Sequence, residues 1–159
     1  MTAANTLSWS EEFVLGDART DHTHQEFIEL VNATTAAAPE EKLAAYRSLL
    51  DHTMEHFAQE ERWMSACGIP ADFCHFSQHS SVLEVMKEVE RRALAGELAY
   101  IDSMIEALVE WFPMHASSMD AGLVAFLQEK GFDTASEGFK PGFSAPAPAS
   151  GAEAPGCGH

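Results

Sequence analysis

The stretch His56-Phe57-Ala58-Gln59-Glu60-Glu61-Arg62-Trp63-Met64 decides how the chain is read. Residues four apart on an α-helix lie about 40° apart in projection and one turn along the axis. His56 and Glu60 therefore reach toward one point from one helix face. The same face carries an apolar stripe of Leu43, Tyr46, Leu50, Phe57 and Met64, with Leu49 and Trp63 beside it. A carboxylate buried on such a stripe is costly without a cation or a hydrogen-bond donor. Alone, Glu60 would read as a solvated or ion-paired side chain; the rest of the chain gives it a partner set.

Working outward, His75-x3-His79 repeats the four-residue spacing, His24 shares a face with Phe27, Ile28 and Val31, and His115-x4-Asp120 closes the series. A single histidine on an apolar face is ordinarily a hydrogen-bonded core residue. Five imidazoles with two carboxylates would need many such partners, whereas together they suit first-row transition metals such as iron. Seven donors are too many for one ion and about right for two. One pair fits poorly: five residues put His115 and Asp120 about 140° apart on a regular helix. They converge only beside the helix flank or through a distortion. Pro113 is a source of distortion, because it removes a backbone donor and clashes one turn back.

The elements that carry these residues are helical. Residues 1–16 read as a non-helical arm with Trp9 and Phe13 as anchors. Asp17 or Thr20 is a good N-cap for the first helix, which ends at Ala36-Ala37-Ala38-Pro39. Pro39-Glu40-Glu41 makes a favourable first turn for the second, which runs to about Ala66. Gly68-Ile69-Pro70 is a breaker. A third helix starts near Ala71 and carries Val82, Leu83, Met86 and Val89. After Gly96, a fourth has Leu98, Ile101, Ile105, Leu108 and Phe112 leading to His115. No strand pattern is present. Residues 121–130 fit a short extra helix.

The expected fold is all-α: an up-down antiparallel four-helix bundle over residues 1–130. Residues 131–159 read as a flexible tail, low in complexity from Ser144 to Pro155.

Bulk properties narrow the function classes. The 159 residues are 46% apolar, enough for a packed core in one domain. A formal charge of −16 opposes nucleic acid and anionic membranes. No run approaches the ~20 apolar residues of a membrane span, and Met1 to Trp9 lacks the pattern of a secretory signal. Cys67, Cys74 and Cys157 match no zinc or redox spacing. The expected setting is cytoplasmic.

With these residues in place, the chain resembles the hemerythrins, in particular the bacterial hemerythrin-like proteins. The resemblance rests on Trp9 to Gly16, Asp21-His22-Thr23-His24 with Asn32, His56 to Met64, Gly68-Ile69-Pro70, His75-x3-His79, and Trp111-x3-His115-x4-Asp120. It covers roughly residues 9–120. It implies reversible O2 binding at two non-haem iron ions joined by a solvent-derived oxo or hydroxo bridge. By position, His75, His79 and His115 would hold one iron and His24 and His56 the other, with Glu60 and Asp120 spanning both. Trp111 and Phe112 are the candidates for lining the O2 pocket. Phe112 stands where leucine is usual, and the bulkier ring narrows the pocket. His52 stands where tyrosine is common and reads as a supporting residue behind the ligands. Asp17 and Thr20 replace isoleucines, a change expected to loosen the start of the first helix.

Two other function classes compete. A di-iron enzyme consuming O2, peroxide or nitric oxide would be expected to be carboxylate-rich, with paired Glu-x-x-His motifs. No Glu-x-x-His occurs here, and five imidazoles to two carboxylates favour binding over turnover. An iron-regulated interaction module would act through its acidic surface or its tail.

Overall fold

The structure, a computed structural model, describes residues 6–146. Four helices form the bundle: α1 Ala18–Ala36, α2 Pro39–Ala66, α3 Cys74–Leu94 and α4 Ala99–His115. Each packs on the next, and α4 closes against α1. A further helix, α5, spans Ala121–Glu129, followed by the two-residue strands β1 Phe132–Asp133 and β2 Gly138–Phe139. The all-α bundle expected from hydrophobic spacing is the observed fold. Among the described residues, no helix is long and apolar enough to cross a membrane.

Local chemistry sets the helix ends. Asp17 is the N-cap of α1, its Oδ2 accepting from the Thr20 amide at 2.9 Å, as the capping preference for short polar side chains requires. The substitution expected to loosen the start of α1 therefore anchors it. At the far end of α2, Gly68 takes φ +83°. Its amide reaches Ser65 O at 3.1 Å and the Ile69 amide reaches Met64 O at 2.9 Å. This paired closure is the Schellman motif, which favours glycine at the left-handed position. Ile69 then packs in the same apolar cluster as Met64. Helix α3 starts at Cys74, a turn later than the sequence implied, because Pro70–Phe73 closes first as a turn (Phe73 N to Pro70 O, 3.0 Å).

The fourth helix does not stop at His115. Residues Ala116–Asp120 are π-helical and lead into α5 with right-handed helical angles at both joints. What read as a separate short helix is thus the continuation of α4 in one rod.

The N-terminal arm is fastened at three points. Leu7 and Asn32 exchange hydrogen bonds of 2.9 and 2.7 Å. Asp21 accepts from the Leu15 and Gly16 amides at 2.8 and 3.2 Å. Trp9 stacks on Phe13, and Phe13 stacks on Phe112.

Packed structure also extends past residue 130, where the tail was expected to begin. Phe132 is buried in one cluster with Trp63, Leu123 and Leu127, and Phe139 packs against that cluster. The Thr134 hydroxyl donates to Asp17 Oδ1 at 2.7 Å, and Arg62 pairs with Glu137 at 3.1 Å. Two aromatic side chains supply the burial that a two-residue ladder alone lacks. Most of the low-complexity stretch lies outside the described residues.

The core has two apolar blocks. One gathers Phe27, Tyr46, Leu49, Met86, Ile105 and Phe112 among others. The other gathers Trp63, Met64, Cys67, Ile69, Leu123 and Phe132 with their neighbours. On α2, His56 and Glu60 fall between Leu50 of the first block and Trp63 of the second. On the fourth rod, His115 and Asp120 fall between Phe112 and Leu123. The polar residues form a layer between two oily plugs.

Candidate metal centre

Three helices supply the histidines in register and the α4–α5 rod completes the set. His24 comes from α1, His56 and Glu60 from α2, His75 and His79 from α3, and His115 and Asp120 from the rod. All seven are buried. Their donor atoms form two groups, each with its atoms within 4.8 Å of one another: Glu60, His75, His79, His115 and Asp120 in one, and His24, His56, Glu60 and Asp120 in the other.

The two carboxylates belong to both groups because each turns one oxygen to each. Glu60 Oε1 lies 3.4 Å from His75 Nε2 and 3.2 Å from His79 Nε2. Glu60 Oε2 lies 2.9 Å from His56 Nε2 and 4.0 Å from His24 Nε2. Asp120 Oδ1 lies 3.1 Å from both His75 Nε2 and His115 Nε2, and Oδ2 lies 2.9 Å from His24 Nε2. Several of these contacts are short without being aligned as hydrogen bonds. His24 Nε2, His79 Nε2, His115 Nε2, Glu60 Oε1 and Asp120 Oδ2 are all buried without a hydrogen-bond partner. Buried polar atoms are normally paired, so lone pairs aimed past one another at common points fit a pair of cations. Imidazole and carboxylate suit iron.

In the metal-free protein the electrostatics are those of interlocked opposite charges. Burial disfavours ionisation of Glu60, and Asp120 adds repulsion, yet His56 and His75 hold Glu60 well below the usual carboxylate range. Asp120 is held down likewise against burial, chiefly by His115 and His24. Burial opposes the imidazolium of His75, but Asp120 and Glu60 outweigh it and push His75 up to about 10. His24 and His79 are raised for the same reasons, by Asp120 and by Glu60 with Glu61.

A profile of the family described as "Hemerythrin HHE cation binding domain" matches residues 15–127. The chain belongs to the hemerythrin family. It is similar to a bacteriohemerythrin of Ralstonia nicotianae, at 37% identity over 131 residues, covering 82% of this chain and 96% of the relative. A bacteriohemerythrin of Pseudomonas paraeruginosa is 29% identical over 122 residues, covering 74% and 79%. One of Stenotrophomonas maltophilia is 29% identical over 118 residues, covering 72% and 76%.

Within this hemerythrin domain the two histidine groups differ in their outer contacts. His79 Nδ1 lies 3.0 Å from Glu61 Oε2, and His115 Nδ1 lies 2.6 Å from Gln78 Oε1, which also accepts from Trp111 Nε1 at 3.2 Å. Phe57 stacks on His79 with centroids 3.9 Å apart. Such contacts fix a ligand's tautomer and orientation. On the other side, His24 Nδ1 and His56 Nδ1 are buried with no partner.

The lining candidates separate accordingly. Phe112 is fully buried, meeting His24 edge-on at 5.1 Å and packing against Phe27 and Phe13. Trp111 instead stacks on His115 at 4.3 Å, against the larger group. His52 approaches Glu26, at 3.4 Å, and meets His56 ring to ring at 6.1 Å, with no hydrogen bond to any of the seven.

The sequence reading missed Glu61, Gln78 and Phe57. The signal for each was its position beside a donor on the chain, but which helix it would face depended on how α2, α3 and α4 pack.

Proposed function

We propose that this hemerythrin-family chain binds O2 reversibly at a di-iron centre, with His75, His79 and His115 on one iron, His24 and His56 on the other, and Glu60 and Asp120 spanning both. The observation that carries the reading is the division of the two carboxylates, each with one oxygen toward each histidine group. When bound, two ferrous ions with a solvent-derived oxo or hydroxo bridge supply the electrons and the coordination position that dioxygen needs.

The protein's own share is holding, asymmetry and exclusion of water. Three imidazoles and two carboxylate oxygens face one position; two imidazoles and two carboxylate oxygens face the other. The poorer group is the natural place for an exogenous diatomic ligand, and it lies against Phe112. Phe13, Phe27 and Phe112 give that side an apolar wall. A dry wall keeps out the water and protons that turn reversible binding into irreversible oxidation. A binding role fits the imidazole-rich donor set better than O2-consuming turnover, and the absence of a membrane-spanning helix among the described residues fits a protein working in the cytoplasm.

The test is anaerobic loading of the metal-free chain with ferrous iron, metal analysis, and optical spectra before and after O2. The expected result is two irons per chain, a visible charge-transfer band on oxygenation, and its loss on deoxygenation. Fewer than two irons, or a colour that deoxygenation does not remove, rejects the proposal.

A further inference from the structure

We propose that a cavity of about 450 Å³ between α1 and α2 is a capture site for a divalent first-row transition-metal cation, which His22, Glu26 and His52 receive from solvent and His56 takes inward. The inference rests on the di-iron reading above and adds the route by which the centre is filled.

His56 belongs to both places. It is one of the residues lining the cavity, and its Nε2 lies 2.9 Å from Glu60 Oε2 in the centre. Outside it, the Glu26 carboxylate is divided between two histidines: Oε2 lies 3.4 Å from His22 Nε2 and Oε1 lies 3.4 Å from His52 Nε2. The three imidazoles form a staircase of burial. The side chain of His22 is 68% exposed, that of His52 17% and that of His56 2%. A hydrated cation meeting these groups in turn can exchange water for imidazole stepwise rather than all at once.

Two further observations point to a ligand. His52 Nδ1 and His56 Nδ1 are both buried without a hydrogen-bond partner. His56 also lacks the outer hydrogen bond that pins His79 and His115; its hydrogen bond is to Glu60, on the side of the centre. The outer groups are not drawn together as tightly as the two inner sets. Weak, adaptable ligation suits a place that must release its ion. Imidazole and carboxylate match ferrous iron. Glu55, paired with Arg62 at 3.4 Å, and Arg19 also line the cavity, and the chain's charge of −16 raises the local concentration of cations.

The experiment mixes full-length metal-free protein, wild type and His22→Ala/Glu26→Gln, with ferrous ammonium sulfate under anaerobic conditions. Free iron remaining at each time is trapped with a ferrous-specific colorimetric chelator, and iron per chain is measured at completion. Both substituted side chains are well exposed, so the fold is kept. The expected result is uptake slowed about tenfold or more, a change in transition free energy of about 1.4 kcal/mol, with the same final two irons. Uptake at the wild-type rate overturns the capture site while leaving the di-iron reading intact. A final content below two irons in the variant alone also overturns it, since these residues would then retain iron rather than pass it. Wild-type protein that never reaches two irons rejects the di-iron reading itself.

Discussion

His115 and Asp120, five residues apart, stand 3.1 Å from Nε2 to Oδ1 because the chain between them is π-helical. The Ala121 amide reaches back to Ala116 O, an i→i+5 closure that brings residues five apart onto one face. A regular α-helix would have parted them by about 140°. Pro113, inside α4, lies just before the π-turn, and π-bulges are frequent at functional sites.

The π-turn holds one residue more than a helix turn needs. Deleting the exposed Ser117 is expected to return His115 and Asp120 to a four-residue α spacing and preserve two irons per chain. Inserting one alanine after Ser117 should turn Asp120 away by about 100° and lose iron. Metal analysis and circular dichroism of both variants check this; loss of iron from a folded deletion variant would refute it.

Gln78 serves two groups, the His115 imidazole and the Trp111 indole. Gln78→Ala is expected to weaken iron binding by about 10- to 100-fold, the usual range for a residue that orients a metal ligand. Gln78→Glu, which keeps the acceptor, should restore most of it. Chelator competition measures both, and an affinity unchanged in the alanine variant would remove Gln78 from any positioning role.

Phe112 fills the space beside His24. Phe112→Leu is expected to speed O2 association and autoxidation together, because the smaller side chain opens the wall nearest the poorer donor group. Phe112→Ala should also cost about 3–5 kcal/mol of stability through the cavity it leaves. Stopped-flow mixing with O2 and thermal melts separate the two effects. Unchanged association in the leucine variant would mean that this ring does not limit access.

Metal loading should release protons. His24, His75 and His79 are raised above the ordinary imidazole value, His75 to about 10, so they bind protons that a metal must displace. Apparent affinity is therefore expected to rise with pH from the ordinary imidazole range up to about pH 10, where His75 gives up its proton without metal. Without metal the sign reverses for these histidines. Their stabilising contribution is full below the unfolded value near 6.5 and, for His75, fades as pH rises through about 10. Calorimetric titration in two buffers of different ionisation enthalpy counts the protons, and a buffer-independent heat would contradict the expectation.

The hairpin after α5 is structural. A chain ended at Lys130 loses the buried Phe132 and the Thr134–Asp17 hydrogen bond. Phe132→Ala alone is expected to cost about 3 kcal/mol, and Thr134→Ala about 1 kcal/mol. Denaturant unfolding of the three variants checks the order; equal stability of the shortened and full-length chains would show that the hairpin only rests on the bundle.

Spacing carried the bundle and the seven candidate donors, because helical periodicity converts directly into a shared face; their division into two sets came from the family resemblance. Spacing also exposed the one pair that did not fit. His52 was legible as a residue near the centre but not in its role, since its partner, Glu26, is on another helix. The boundary at residue 130 was misplaced because two-residue strands have no periodicity to read, and their aromatics are meaningful only against Trp63 and Leu123.

The sequence by itself determined which side chains share a helix face, since that depends on local geometry that every α-helix obeys. Tertiary structure decided which oxygen of Glu60 and Asp120 meets which histidine, where the helix loosens into a π-turn, and which imidazoles are pinned from behind. Those outcomes depend on how four helices lean on one another, and no spacing within one helix encodes the distance to the next.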